Sequence, residues 1–169
     1  MKLNKIIEKV VEFFKKAYNY FSGRQFDEKP IMRIEYTHYE FDEFDLDIYT
    51  EINKIRIDLG LNELEILQDA CDIANSHCEY LQLNSSDNFM INHDYFTQRA
   101  DQIQLRYPGA IVGENVAGGY INALSVVSAW KKSPNHYINL SKSTYTHTGI
   151  AHIKGNGKCY VVQLFLKKY

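Results

Sequence analysis

Residues 113–119, GENVAGG, organise our interpretation of the chain. The carboxylate of Glu114 lies between a glycine and an asparagine, and a glycine pair closes the stretch. Because glycine accepts backbone angles that other residues resist, the stretch predicts a bend with close backbone packing. His93 lies 21 residues before Glu114 and His136 lies 22 residues after it. One carboxylate and two imidazoles around a bend form the candidate polar site of this sequence.

These three side chains suit two kinds of chemistry. Neutral imidazole is the commonest protein ligand of zinc and carboxylate oxygen also binds it, so His93, Glu114 and His136 are sufficient for a zinc site with an open position. Glu114 and a histidine would equally serve as a proton-transfer pair. The spacing is not specific, since no HExxH pattern occurs. A third interpretation, a structural hydrogen-bond cluster, therefore stays open.

The bulk composition indicates one globular domain with few special features. The chain has 169 residues, 45% of them apolar, and a net charge of −2 spread along its length. This balance provides no electrostatic footprint for nucleic acid. Three cysteines, Cys71, Cys78 and Cys159, form an odd set without a regular pattern. They are expected to be ordinary, mostly buried thiols.

The N-terminal part is expected to be separate from the domain. Residues 3–21 carry apolar side chains at helical spacing with lysines opposite, which predicts an amphipathic helix over residues 1–22. It would pack on its own domain or on a second copy of the chain, or lie on a membrane surface. Residues 23–45 are interpreted as a connector. No signal-peptide core or membrane-spanning run is readable, so the sequence leaves the location of the protein open.

The remainder, 46–169, is expected to form an α+β domain with helices packed on a small sheet. Ser133 as N-cap and Pro134 at the first position begin a short helix that carries His136 in its first turn. Asn92 or Asp94 is expected to cap the helix that follows His93. A hairpin at Asn-Gly joins two C-terminal strands. The predicted helices cover 46–60, 64–83, His93 to about 107 and 121–132, besides the short one at Pro134, and the predicted strands cover 148–153 and 159–167.

Six segments in order then resemble the CAP superfamily, the SCP-like domains of cysteine-rich secretory, antigen 5 and pathogenesis-related proteins. The first contains Asn53-x-x-Arg56 followed by G-L-x-x-L. His93, GENVAGG, AWKKSPNHYINL, THTGIAHI and YVVQLF follow, and together they extend from about Leu46 to Leu166. The form AW-x-x-SPxH resembles the bacterial branch.

The resemblance implies a three-layer α-β-α sandwich with a small, mainly antiparallel sheet. It also implies a cleft with two histidines and two acids, of which His93, Glu114 and His136 match three. The second acid usually follows the tryptophan by three residues, and Ser133 holds that place after Trp130. We interpret Gly113, Asn115 and Trp130 as structural parts of the motif. Family members are implicated in binding divalent metals, sterols and fatty acids, and they are usually secreted.

Three functions follow from these observations. We favour a non-enzymatic binding module whose His/Glu cleft binds zinc and an apolar ligand such as a lipid. The first alternative is a metal-dependent, peptidase-like hydrolase that uses Glu114 with His93 and His136. The second alternative is a structural or interaction protein that acts through its N-terminal helix, by contacting a membrane surface or another copy of the chain.

Overall fold

The structure, a computed structural model, describes residues 38–84, 89–155 and 157–169. The predicted amphipathic helix and most of the predicted connector lie outside these residues. Among the described helices, none is long and apolar enough to cross a membrane. The described part contains five helices and four strands. In chain order they are α1 Glu43–Asp58, β1 Glu65–Ile66, α2 Gln68–Asn84, α3 Phe96–Arg106, β2 Ile111–Tyr120, α4 Ala123–Lys132, α5 Pro134–Ser141, β3 His147–Gly155 and β4 Lys158–Lys167.

The four strands form one sheet in the order β1-β3-β4-β2. The last strand of the chain, β4, lies in the interior of the sheet and pairs antiparallel with both β2 and β3, while the short β1 pairs parallel with β3. In this register Glu114 lies opposite Leu164, and His152 lies opposite Val161. Within the described part of the chain, β2 is therefore an edge strand, and one of its sides has no strand partner.

Helices cover both faces of this sheet. Because successive side chains of a strand point to opposite faces, β4 contributes to two cores. Val161 and Phe165 pack with apolar residues of α1, α4 and α5. Val162 and Leu164 pack with apolar residues of α2 and α3. The three-layer α-β-α sandwich is thus confirmed, with α1, α4 and α5 on one face and α2 and α3 on the other.

The GENVAGG stretch is a strand, so the predicted bend is wrong. Gly113 to Gly118 pair continuously with Phe165 to Tyr160 of β4, and only Gly119, with a φ of +84°, coincides with an irregularity in the register. Gly113 serves close packing, since a Cβ atom there would lie 3.0 Å from Asn139 Oδ1 and closer still to the Tyr145 hydroxyl. The glycines permit close neighbours and one local distortion.

Several helix limits also differ from the prediction. The helix α1 begins at Glu43, because Asp42 and Asp45 form a capping box. The predicted helix over 64–83 begins at Gln68, since β1 precedes it. The helix α3 follows Tyr95, which has a φ of 60° and makes no side-chain cap, so neither Asn92 nor Asp94 caps it. Ser133 and Pro134 begin α5 as predicted, although the Ser133 side chain makes no capping hydrogen bond.

Asn53 and Arg56 of α1 connect distant parts of the chain. The Asn53 side chain accepts a hydrogen bond from Leu64 N at 2.9 Å and donates one to Leu64 O at 3.2 Å. The buried Arg56 guanidinium donates to four backbone carbonyls, those of Asn62, Leu140, Lys142 and Tyr145. These bonds satisfy carbonyls at the C-terminal end of α5 and in the loops before β1 and β3. They also give a physical reason for the Asn-x-x-Arg pattern.

Candidate functional site

The centre of the candidate site is a buried ion pair between Glu114 of β2 and Arg99 of α3. Glu114 points to the sheet face that α2 and α3 cover, and both side chains are only 1% exposed. Arg99 Nε donates to Glu114 Oε2 at 2.6 Å, and Nη2 donates to Oε1 at 2.8 Å. The planar guanidinium thus holds both carboxylate oxygens in a two-pronged arrangement.

His93 adds a third donor to the same carboxylate. It lies in the turn before α3, with its side chain half-exposed, and its Nδ1 is 2.7 Å from Glu114 Oε1. Since an ionised carboxylate only accepts, His93 Nδ1 carries the hydrogen and Nε2 is the nitrogen that remains. Burial alone would raise the pKa of Glu114. Hydrogen bonds from His93 and Arg99 and the Arg99 charge outweigh burial, so that this pKa is lowered and Glu114 is ionised.

His136 lies beside the edge strand, in the first turn of α5. Its backbone carbonyl accepts a hydrogen bond from Asn115 Nδ2 at 3.2 Å, and its ring lies 6.4 Å from that of Trp130. Burial lowers the pKa of His136, and the charge of His93 lowers it further. His93 contacts Glu114 of β2, and the His136 carbonyl is held by Asn115 of the same strand, so both histidines lie beside this part of β2, where the cleft is expected.

A pocket of about 180 Å³ opens beside His136. Apolar side chains and the backbone of β2 form most of its wall, and Ser133 and His136 supply polar atoms. Its lining consists of Ile91, Val116, Ala117, Gly118, Tyr120, Ala129, Trp130, Ser133 and His136. Ser133, the residue in place of a second acid, is therefore a neutral part of this wall.

The side chains of Asn115 and Trp130 both donate hydrogen bonds to backbone carbonyls at this edge. Asn115 accepts a hydrogen bond from Asn139 Nδ2 at 2.9 Å, besides holding the His136 carbonyl. The buried Trp130 donates its indole N–H to Val116 O at 3.4 Å, and Asn139 Nδ2 donates to Glu114 O at 3.1 Å. Two carbonyls on the free edge of β2 are thus bound by side chains of α4 and α5. These contacts fix α5, and with it His136, against the strand.

Sequence reasoning missed two neighbours of this site. Arg99 stands six residues after His93, and nothing in that spacing marks it as the partner of Glu114. The other neighbour is His77 of α2, which is fully buried. Its Nε2 lies 2.9 Å from Asn92 O, directly before His93, while its Nδ1 has no hydrogen-bond partner among the described residues. Burial and the Arg99 charge lower the pKa of His77 to about 4, so it is neutral at pH 7.

The three predicted ligands are only partly brought together. His93 and Glu114 are in contact and His136 is held by the next residue, Asn115, but the ligand atoms of the three do not form a group within 4.8 Å of one another. Among the described residues, Asp42, Asp45 and His152 are the group that does so. His93, Glu114 and His136 as a zinc-binding set stay a prediction.

The second group lies at the beginning of α1, against β3. His152 Nδ1 is 2.9 Å from Asp45 Oδ1, and the Tyr39 hydroxyl donates to Asp45 Oδ2 at 2.7 Å. The same hydroxyl accepts from His152 N at 2.9 Å. Burial, together with the charge of Asp45, raises the pKa of Tyr39 well above its usual value, so the hydroxyl remains a donor. No local sequence pattern marks Asp42, Asp45 and His152 as a cluster.

Comparisons with known proteins agree with the architecture. A family profile described as CAP, cysteine-rich secretory protein family, matches residues 49–165. An outer surface protein of Borrelia burgdorferi is 26% identical, with a TM-score of 0.65, over 78% of this chain and 97% of that one. An extracellular protein of Bacillus anthracis with an SCP domain is 23% identical, with a TM-score of 0.62, over 73% of this chain and 40% of that one.

One relative that matches by sequence is much longer than the region it shares with this chain. The membrane protein YlbC of Bacillus subtilis (strain 168) is 29% identical over 118 residues, which are 69% of this chain and 32% of that protein. The chain therefore matches about a third of the length of this relative.

Proposed function

Since the chain belongs to the cysteine-rich secretory protein (CAP) family, we propose that it is a binding module whose cleft at the edge of β2 holds a divalent metal ion, zinc, between His93 and His136. One observation carries this proposal. His93 donates its Nδ1 hydrogen to the buried Glu114 carboxylate at 2.7 Å, which leaves Nε2 as the ligand atom. Metal-binding histidines typically donate their other nitrogen to a carboxylate in this way.

In this proposal Glu114 orients His93 and is not a metal ligand. Both of its oxygens already accept hydrogen bonds from Arg99, and Oε1 also accepts from His93. Coordination to zinc would require breaking a fully buried ion pair, which is costly. The two imidazoles would leave positions open, through which zinc would bind a donor atom of a ligand or water.

The pocket beside His136 supports a binding role that combines metal and apolar contacts. Its volume of about 180 Å³ is smaller than the roughly 300–1,000 Å³ of most small-molecule sites. It therefore suits part of a ligand, such as the end of an acyl chain, more than a whole sterol. We infer that a ligand would place a polar donor near the histidines and an apolar group against Trp130.

A hydrolytic function is supported less well by the same geometry. A general base has to take up a proton within hydrogen-bond reach of the reacting water. The lowered pKa of Glu114 and its three donors make that carboxylate a poor proton acceptor. The neutral Ser133 in the place of a second acid adds no such group.

Calorimetric titration of zinc into metal-free protein at about pH 7.5 tests the proposal. Saturable binding is expected in the wild type. The part of this zinc binding that is due to the cleft should disappear in the double variant His93→Ala/His136→Ala, because both ligand nitrogens are lost. The matched control is His38→Ala/His147→Ala, which removes two histidines outside the cleft and should leave zinc binding unchanged. Identical zinc affinity and stoichiometry in the wild type and the cleft variant would exclude the proposed site.

A further inference from the structure

We propose that His152 and Asp42 form a second divalent-metal site, in which the buried Asp45 orients the imidazole. This site lies at the start of α1 and shares no residue with the His93–His136 cleft. The inference goes beyond the proposed function and does not depend on it. Its ligand class is a borderline transition-metal ion such as Zn²⁺ or Co²⁺, since the donors are an imidazole nitrogen and a carboxylate oxygen.

Three contacts fix the orientation of His152. Asp45 accepts the Nδ1 hydrogen at 2.9 Å, which leaves a lone pair on Nε2 when the ring is neutral. Tyr39 holds the other oxygen of Asp45 and also accepts the backbone N–H of His152. The Phe44 ring packs on the imidazole with 4.4 Å between centroids. A histidine backed by a carboxylate on one nitrogen is the usual arrangement of a metal-binding imidazole.

The free nitrogen of His152 faces a second carboxylate across a gap. The His152 side chain is only 7% exposed, and among the described residues Nε2 makes no hydrogen bond. Asp42 Oδ2 lies 3.8 Å from it, which is too long for a hydrogen bond. Two ligand atoms at about 2.0–2.1 Å from a tetrahedral zinc ion lie roughly 3.4 Å apart. A shift of a few tenths of an ångström would therefore place one ion between Nε2 and Oδ2.

The charges around the cluster favour a cation. Asp45 is fully buried and Asp42 is half-exposed, and within the described ranges neither forms an ion pair with a lysine or arginine. The ammonium of Lys154 lies on the Phe44 ring, 5.4 Å from its centroid. When His152 is neutral, two carboxylates that have no lysine or arginine partner gain from a bound positive charge. The half-exposed Asp42 gives a metal ion access from solvent.

The residues of the proposed site differ in how well they tolerate substitution. His152 and Asp45 belong to a buried network, so replacing either risks unfolding. Asp42 is the N-cap of α1, and asparagine caps helices as well as aspartate does. Asp42→Asn therefore removes the ligand charge while preserving the cap. Glu43→Gln, one residue further along the exposed first turn, is the matched control.

The test uses the full chain in the His93→Ala/His136→Ala background, so that failure of the cleft site and of this site are distinguished. The background protein should bind one Zn²⁺ by calorimetry and give the visible absorption of tetrahedral Co²⁺. Adding Asp42→Asn should weaken zinc binding by at least about 10- to 100-fold, the loss seen even for outer-shell partners. Adding Glu43→Gln should change nothing. No saturable zinc binding in the background protein, or equal affinity after Asp42→Asn, overturns the proposal.

Discussion

Glu114 shows how far a residue can be understood from its neighbours in sequence. Its place between His93 and His136 marks it as part of a polar site. Its charge, however, is set by Arg99, which is 15 residues away and becomes a neighbour only when α3 packs on β2. Because that guanidinium occupies both carboxylate oxygens, Glu114 is a fixed anchor for His93 and has little freedom to act as a base.

Replacing Arg99 should therefore destabilise the protein strongly. Arg99→Gln leaves the Glu114 carboxylate buried without its cation, and breaking a buried pair costs about 3–5 kcal/mol. Urea unfolding at neutral pH measures this loss. Arg106→Gln, at the partly exposed end of the same helix, should cost less than about 1 kcal/mol.

A second variant separates the charge from packing. In Arg99→Gln/Glu114→Gln the unpaired charge is gone, so part of the stability should return. An Arg99→Gln protein as stable as the Arg106→Gln control would show that the ion pair carries no such role.

The sequence put forward candidate residues for the cleft but not their partners. His93, Glu114 and His136 were proposed from their chemistry and from the order of motifs. Asp45 and His152 were missed because 107 residues separate them, and no local spacing encodes their contact. The contact of the buried His77 with the carbonyl before His93 was not foreseen either. Such partnerships arise from packing of separate elements.

At the scale of elements, helices were easier to predict than the edge strand. The helices predicted from the spacing of apolar residues are present as α1 and α4. The predicted C-terminal hairpin is present as β3 and β4. GENVAGG was misjudged because glycine is usually unfavourable in strands. In β2 the glycines accommodate Tyr145 and the loop at Phe89, so tertiary contacts override the local preference.

The close contact between α2 and β3 predicts that a side chain at Gly149 destabilises the protein. A Cβ atom at Gly149 would come within 2.5 Å of Ala70 Cβ and closer still to the α2 backbone, which cannot move aside cheaply. Gly149→Ala should therefore cost about 1–3 kcal/mol or more, measured as a lower Tm.

Gly155→Ala on the same strand is the control, since its Cβ would meet only Gln82 Nε2 at 3.4 Å. Equal Tm values for the two variants would contradict the proposed close contact between helix and sheet.

At the scale of the molecule, the sandwich was predictable because six short motifs occur in order along most of the chain. The resemblance supplied the layers, and the family profile and the structure agree with it. The order of the motifs did not predict which side chains of different layers would contact one another at the candidate sites. The contacts that support the two proposed sites, at the β2 edge and at the start of α1, form only when the helices pack on the sheet.

Stability of the whole molecule should fall as the pH drops below about 6.5. His77 has its pKa lowered from 6.5 to about 4, so its contribution is complete above pH 6.5 and is lost as the pH falls through 4. This amounts to about 3 kcal/mol at pH 4. Glu114, whose folded pKa lies below 4.5, adds a further loss under more acidic conditions.

Urea unfolding at about pH 7, 5.5 and 4 measures this dependence. His77→Gln, which cannot take up the proton, should lose about 3 kcal/mol less than the wild type between pH 7 and 4. Parallel curves for the two proteins would show that His77 does not contribute.

The position of β4 has a consequence for synthesis of the chain on the ribosome. Both β2 and β3 depend on β4 for their ladders, and β4 is made after every other described element. While residues 158–167 are still inside the exit tunnel, neither core can close, because each needs side chains of this strand. The helices made before β4 therefore keep their apolar faces exposed. We expect both cores to form together only after β4 has emerged.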